Sequence, residues 1–80
     1  VLATTVAPMA ASVSSINQGA KKLLSDGVTY GYAWTGYNSK YCYIKASIGT
    51  DSYEGWEEDW NQQNLECSGN WDIYHNHKVR

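Results

Sequence analysis

The segment KYCYIKASIGTDSYEGWEEDWNQQNLEC, residues 40–67, decides the fold that we expect for this chain. In its first part every second side chain belongs to one mostly apolar set, and this alternation predicts a strand with one side facing the core. The side that carries the cysteine and both isoleucines consists of Cys42, Ile44, Ala46 and Ile48. After Gly49 and Thr50, the run from Asp51 to Glu54 matches a capping box, which predicts that a helix begins there.

The second half of the segment has helical spacing. Tyr53, Trp56 and Trp60 recur at steps of three and four, which predicts an apolar stripe on a helix. Negative charge at the start of a helix is favoured by the helix dipole. We interpret the acidic cluster there as a cap and a solvated face, and we predict no metal site, because a calcium loop needs ligands at alternate positions around a central glycine. The cluster consists of Asp51, Glu54, Glu57, Glu58 and Asp59.

Cys42 and Cys67 are the only cysteines among 80 residues. A chain of this length buries a marginal core and usually needs a covalent or metal staple. We therefore predict a disulfide between them and a secreted, extracellular protein. The alternative is two free thiols in a cytosolic protein. No CxxC motif supports a zinc site, and no cofactor is expected.

The rest of the chain predicts four further elements. Alternation from Leu2 to Val6 predicts a strand, and the apolar spacing over residues 9–25 predicts a helix that Gly27 ends. Residues 28–37 alternate as a strand, with a hairpin turn over residues 36–39. Residues 71–75 predict the last strand, and residues 76–80 a tail.

Together these elements predict one domain over residues 1–80. Their order is strand, helix, strand, strand, helix, strand, which is the split βαβ order. The expected fold class is α+β, an α/β sandwich in which two helices pack on one face of a mainly antiparallel sheet.

The chain resembles the small secreted killer toxins of yeasts and smut fungi. The resemblance rests on a helix at residues 16–27, a Tyr-rich strand with an embedded cysteine at 40–49, an acidic and amide-rich helix at 51–63, and the return Cys67-Ser68-Gly69. It implies a non-enzymatic toxin or toxin subunit that acts on the membrane or wall of competing fungal cells. It also implies, as a possible partner, a second chain cut from the same precursor.

The aromatic residues predict a binding surface. The chain has four Trp, seven Tyr and no Phe. Each of these aromatic side chains therefore carries an N–H or O–H group, as is common at interfaces. These residues are too numerous for one small core, and some of them are expected on an exposed face. The predicted binding face consists of Tyr30, Tyr32, Trp34, Tyr41 and Tyr43.

Charge and motifs limit the other functions. The net charge of −2 and scattered basic residues exclude nucleic acid as an electrostatic partner. The first alternative to a toxin is a small secreted binding module or effector for a cell-wall glycan or a protein. The second alternative is a small ribonuclease that uses His75, Glu57 or Glu58, and Arg80. Nothing in their spacing demands this, so we predict no catalytic residue and assign His75 and His77 no metal.

Overall fold

A computed structural model describes residues 15–80 of the chain. They form four strands: β1 (Asn17–Ser25), β2 (Val28–Ile48), β3 (Asp51–Ser68) and β4 (Ile73–Val79). No helix occurs within this range, so the predicted α+β fold with two helices on a sheet is wrong. The described part of the chain is an all-antiparallel β structure in which β2 pairs with each of the other three strands.

The first predicted helix, over residues 9–25, is wrong for the residues that the structure describes. Residues 17–25 are strand β1, which pairs with β2 from Asn17 opposite Gly36 to Ser25 opposite Val28. Asp26 and Gly27 connect the two strands with φ values of 52° and 74°. Two successive positive φ angles make a type I′ hairpin turn, for which Asp-Gly is a preferred pair. The predicted strand from Leu2 to Val6 and the start of the predicted helix at residues 9–14 lie outside the described residues.

The second predicted helix is strand β3. Gly49, at a φ of 56°, opens a two-residue turn with Thr50. A positive φ at the first turn residue is the pattern of a type II′ hairpin, which glycine favours. Asp51 does not cap a helix: its carboxylate accepts a 2.8 Å hydrogen bond from the backbone N–H of Glu66, which lies near the other end of the same strand, β3.

The β2–β3 hairpin bends back on itself near its middle. Its register shifts between Gly36 and Tyr41, a bulge that replaces the predicted hairpin turn at residues 36–39. Ser39 and Asp59 adopt positive φ angles of 65° and 68° on the two strands. Bulges bend and twist the strands that contain them. The two strands predicted on either side of residues 36–39 are therefore one continuous strand, β2.

The bend produces two layers that pack face to face. The first layer contains β1 with residues 28–36 and 60–68, and the second contains β4 with residues 41–48 and 51–58. Antiparallel layers of this kind enclose a core between their inner faces. The buried core cluster consists of Ala33, Ile44, Ala46, Ile48 and Leu65. The prediction that Cys42, Ile44, Ala46 and Ile48 face the core is confirmed.

Residues 69–72 lead from β3 to β4 and are held by Thr29. The Thr29 hydroxyl donates to the Gly69 carbonyl at 2.6 Å and accepts from the backbone N–H of Trp71 at 3.0 Å. Strand β4 then runs to Val79, so the predicted tail at residues 76–80 is wrong for all but the last residue. Among residues 15–80 no helix is long and apolar enough to cross a membrane.

Candidate functional site

The structure divides the predicted binding face between two outer surfaces. Tyr30, Tyr32 and Trp34 lie on the outer side of the first layer, away from the core side that holds Ala33. Tyr41 and Tyr43 lie on the outer side of the second layer. The five predicted residues therefore belong to two separate surfaces, one on each layer.

The outer surface of the first layer is closely packed. Tyr30 and Tyr32 are only 8% and 6% exposed, and the rings of Tyr32 and Trp34 lie 5.6 Å apart. The Trp34 ring covers Gly19, its partner across the strands, so closely that a Cβ there would lie 2.6 Å from the ring. This surface offers little free area to a ligand.

The outer surface of the second layer carries an aromatic pair with charged neighbours. The rings of Tyr43 and Trp56 lie 5.0 Å apart. The Tyr43 hydroxyl donates a 2.6 Å hydrogen bond to Glu54, which raises the pKa of Tyr43, and burial acts in the same direction. The Lys78 ammonium lies 4.9 Å from the Tyr43 ring and the Arg80 guanidinium 4.1 Å from the Trp56 ring, both within cation–π range.

A groove of about 330 Å³ adjoins this aromatic pair on the second layer. Its size is at the low end of the range for small-molecule sites. Tyr74, 68% exposed, is the aromatic side chain that stands most freely in it. Lys45 and Glu54 are partners across the strands and place opposite charges side by side. The groove is lined by Lys45, Ala46, Ser47, Ser52, Tyr53, Glu54, Tyr74, His75 and Asn76.

The predicted acidic cluster is dispersed, because side chains three residues apart point to opposite faces of a strand. Glu54 accepts from Tyr43, and Asp59 accepts a 2.8 Å hydrogen bond from the backbone N–H of Ser39 at the bend. Glu57 pairs with Cys42 and Glu58 with Tyr41, while Asp51 accepts from the N–H of Glu66. Within residues 15–80 no group of three or more His, Cys, Asp or Glu side chains is placed to hold a metal ion.

Cys42 and Cys67 are free thiols, and the predicted disulfide between them is not formed. Cys42 lies beside the bend, where its sulfur is 3.9 Å from the Tyr37 carbonyl, whereas Cys67 lies 3.6 Å from Thr50 at the far turn. A disulfide needs Cα atoms within about 7 Å, which these opposite ends of the layers do not offer.

The two thiols have different environments. Burial raises the pKa of Cys42, with a smaller contribution in the same direction from the charge of Asp59, while a backbone hydrogen bond at Tyr37 opposes it. The pKa of Cys67 is lowered, first by a backbone hydrogen bond from Thr50 and then by the Thr50 side chain. Cys67 is therefore the more reactive thiol, since the thiolate is the nucleophile.

His75 and His77 contact one another and not the acids of the ribonuclease hypothesis. Nδ1 of His75 lies 2.8 Å from Nε2 of His77. Glu57 lies in the same register row as Val79, because both pair with Cys42. His75 is four residues from Val79 along β4, so it lies about 13 Å along the strand direction from the row of Glu57. Arg80 stacks on Trp56 instead. The groups proposed for acid–base catalysis are therefore not brought together.

Three residues that matter to these surfaces were not identified from the sequence. Asn61 and Thr35 are fully buried polar residues, and the sequence pattern gives no sign of a polar core. Tyr74 was placed on a strand but not assigned to a surface, although its alternation with Ile73 and His75 is the signal that points it outward.

A scan against models of known protein families, a search of curated proteins and a search of solved structures each found no match to this chain.

Proposed function

We propose that the protein is a small, non-enzymatic binding protein that recognises a neutral glycan at a cell surface through the groove on its second layer. The observation that carries the proposal is the position of Tyr74, an exposed ring set among polar side chains in a groove of about 330 Å³. Binding sites typically combine an apolar or aromatic anchor with a few polar groups that fix orientation.

The chemistry of the groove suits a sugar. A pyranose ring presents C–H groups on its faces and hydroxyls around its edge, so it needs an aromatic ring beside donors and acceptors. Tyr74 supplies the ring, while Asn76, Ser47 and Ser52 supply an amide and two hydroxyls. Tyr74, Ser47 and Ser52 share one register row of three paired strands, and Asn76 lies two rows away on the same face of the sheet.

The charge balance favours a neutral ligand. Lys45 and Glu54 are cross-strand partners, so their charges offset each other inside the groove. A phosphate or polyanion is attracted by uncompensated basic groups, and the chain has a net charge of −2. A neutral polysaccharide needs no uncompensated basic group and is not repelled by the net negative charge.

Retention on insoluble cell-wall polysaccharides tests the proposal. Chitin, β-glucan and mannan are incubated with the wild-type protein and with Tyr74→Ala, and the bound fraction is measured. We expect at least one polysaccharide to retain the wild type and Tyr74→Ala to reduce its affinity tenfold or more. Tyr41→Ala is the matched control, because Tyr41 is 53% exposed on the same layer but does not line the groove.

Two results contradict the proposal. One is that none of the three polysaccharides retains the wild-type protein above a reference protein of similar charge. The other is that Tyr41→Ala and Tyr74→Ala reduce binding equally, which would assign the effect to exposed tyrosines in general and not to the groove.

Killing of competing fungal cells stays a prediction, as do an extracellular location and a partner chain from the same precursor. Two of the segments that carry the killer-toxin resemblance, residues 16–27 and 51–63, form strands and a turn instead of helices. The free thiols also remove one argument for secretion. Growth inhibition of yeast by the wild-type protein, compared with Tyr74→Ala, tests whether glycan binding leads to killing.

A further inference from the structure

We infer that the open edge of strand β4 pairs with β4 of a second copy of this chain, in antiparallel orientation and with Asn76 on the two-fold axis. Strand β4 pairs with β2 on one side, and among residues 15–80 no strand lies on its other side. Such an edge presents backbone N–H and C=O groups that can pair with another chain. The inference does not rest on the proposed glycan binding.

The pairing between β2 and β4 determines which backbone groups point to the open edge. Arg80 and Tyr41 each donate a backbone N–H to the carbonyl of the other, at 3.0 and 2.9 Å. Hydrogen-bonded and non-hydrogen-bonded rows alternate along an antiparallel pair, so Lys78, Asn76 and Tyr74 also bond to β2. The residues between them direct their N–H and C=O groups to the open edge. These outward residues are Ile73, His75, His77 and Val79.

The open edge of β4 lacks the charged protection that sheet edges commonly have. Such protection often comes from Lys side chains, but the Lys78 ammonium lies 4.9 Å from the ring of Tyr43, over the sheet and not beyond its edge. On an edge of β3, in contrast, the Asp51 carboxylate accepts from the backbone N–H of Glu66. The N–H of residue 77 on β4 donates instead to the neutral amide of Asn76, at 2.9 Å, which a partner strand can displace.

One register pairs the whole of β4 with its copy. With Asn76 on the two-fold axis, His75 lies opposite the partner's His77, and Ile73 lies opposite the partner's Val79. Outward residues therefore meet outward residues in four rows, and each row exchanges two backbone hydrogen bonds. A shift by two residues would leave Ile73 or Val79 without an opposite residue in β4. The same patch serves both copies, as a two-fold interface requires.

The side chains are compatible with this register. Lys78 is the one Lys, Arg, Asp or Glu residue in β4, and it lies opposite the partner's Tyr74, so no like charges of these residue types face each other across the pair. A Lys beside an aromatic ring is favourable. On the axis, Asn76 lies opposite the partner's Asn76, and each amide has both a donor and an acceptor for the other. Two seven-residue strands form a small interface, so the dimer should exchange with monomer.

Sedimentation velocity of the full chain, from micromolar to millimolar concentration, tests the inference. A reductant is present so that the free thiols of Cys42 and Cys67 form no disulfide between copies. We expect the average mass to rise with concentration toward that of a dimer. In hydrogen exchange followed by NMR, the outward amides of His75, His77 and Val79 should become slower to exchange at the higher concentration, because the partner strand bonds to them.

Charge variants at Asn76 test the register. Asn76→Lys and Asn76→Glu each bring like charges together on the axis, and each should weaken self-association about threefold or more. An equimolar mixture of the two variants should associate about fivefold or more tightly than either variant alone, because opposite charges then meet. Gln18→Lys is the matched control, since Gln18 is exposed on β1, and it should leave self-association unchanged.

Four results would each overturn the inference. The first is a monomer at every concentration, and the second is exchange of the outward β4 amides that does not depend on concentration. The third is a mixture of the Asn76 variants that associates no better than each variant alone. The fourth is an equal loss of association in Gln18→Lys, which would assign the effect to net charge and not to the edge of β4. The first two use the wild-type protein, so the test does not depend on the folding of a variant.

Discussion

Gly31 and Ile48 belong to the same strand, β2, yet they meet across the core. A Cβ built on Gly31 would lie 2.7 Å from Cδ1 of Ile48 and 2.8 Å from the backbone carbonyl oxygen of Lys21. This contact exists because the register shift between Gly36 and Tyr41 lets one strand contribute to both layers. The two layers are therefore in contact at a position where the sequence has no side chain.

Gly31→Ala is expected to destabilise the protein by about 1–3 kcal/mol, the usual cost of overpacking a well-filled core. The Ile48 side chain can rotate away, but the Lys21 carbonyl belongs to the β1–β2 pairing and cannot move without disturbing it. Urea unfolding followed by tryptophan fluorescence measures the change.

Gly55→Ala is the control for this prediction. The nearest atom to a Cβ at Gly55 is the Tyr53 hydroxyl, at 2.6 Å, which is the end of a side chain that can swing aside. The loss of stability in Gly55→Ala should therefore be smaller than that in Gly31→Ala. Equal stability losses in the two variants would show that the approach of Gly31 to Ile48 and Lys21 does not limit packing.

The strands of the central segment were predictable, whereas the helices were not. Cys42, Ile44, Ala46 and Ile48 alternate without interruption, and their burial follows from that pattern. The steps from Tyr53 to Trp60 imitate a helix because the aromatic residues lie on both sides of β3 near the bend. Beyond the bend, the core-facing residues of β3 are two polar ones, Asn61 and Gln63, followed by Leu65 and Cys67, so the period of two is only partly visible as hydrophobicity. The tertiary contacts of the hairpin outweigh the local helix signal.

The turns carried a clearer signal than the elements beside them. Asp26-Gly27 is one of the strongest short hairpin pairs, yet the apolar spacing before it suggested a helix that the glycine would end. The bend gave no such signal, because its positive φ angles fall on Ser39 and Asp59 and not on glycines. The faces of the tyrosines could therefore be predicted strand by strand, but not the layer to which each face belongs.

Asn61→Ala is expected to destabilise the protein by about 1–3 kcal/mol, because it leaves buried carbonyls without a donor. Asn61 is completely buried, and its amide donates 3.1 Å hydrogen bonds to the carbonyls of Cys42 and Gly55. It also accepts a 2.9 Å hydrogen bond from Gln63. Asn61 thus ties the two sides of the bend together, and thermal or urea unfolding should show its loss.

Asn38→Ala serves as the matched control for Asn61→Ala. Asn38 is exposed at the same bend, so its replacement should change the free energy of unfolding by no more than about 0.5 kcal/mol. A stability loss in Asn38→Ala as large as that in Asn61→Ala would indicate that the bend depends on its surface residues and not on the buried amide.

The two thiols should be distinguishable by alkylation. The intact mass of the unreduced protein should correspond to two thiols that carry hydrogen. Iodoacetamide should then label Cys67 before Cys42 at each pH of a series. The pKa of Cys67 is lowered by its hydrogen bonds to Thr50, whereas burial raises the pKa of Cys42, so Cys67 has the larger thiolate fraction at any given pH. Peptide mass spectrometry measures both rates.

The pH at which labelling becomes half-maximal should be lower for Cys67 than for Cys42, because a lower pKa moves thiolate formation to lower pH. Cys67→Ser should retain only the slow reaction, and Cys42→Ser only the fast one. Restricted access of the reagent alone would slow Cys42 at every pH without displacing its curve, so a difference in rate with no difference in midpoint would contradict the opposite pKa shifts of the two thiols. A mass lighter by two hydrogens would instead require Cys42 and Cys67 to meet, and the separation of the bend from the far turn would then be wrong.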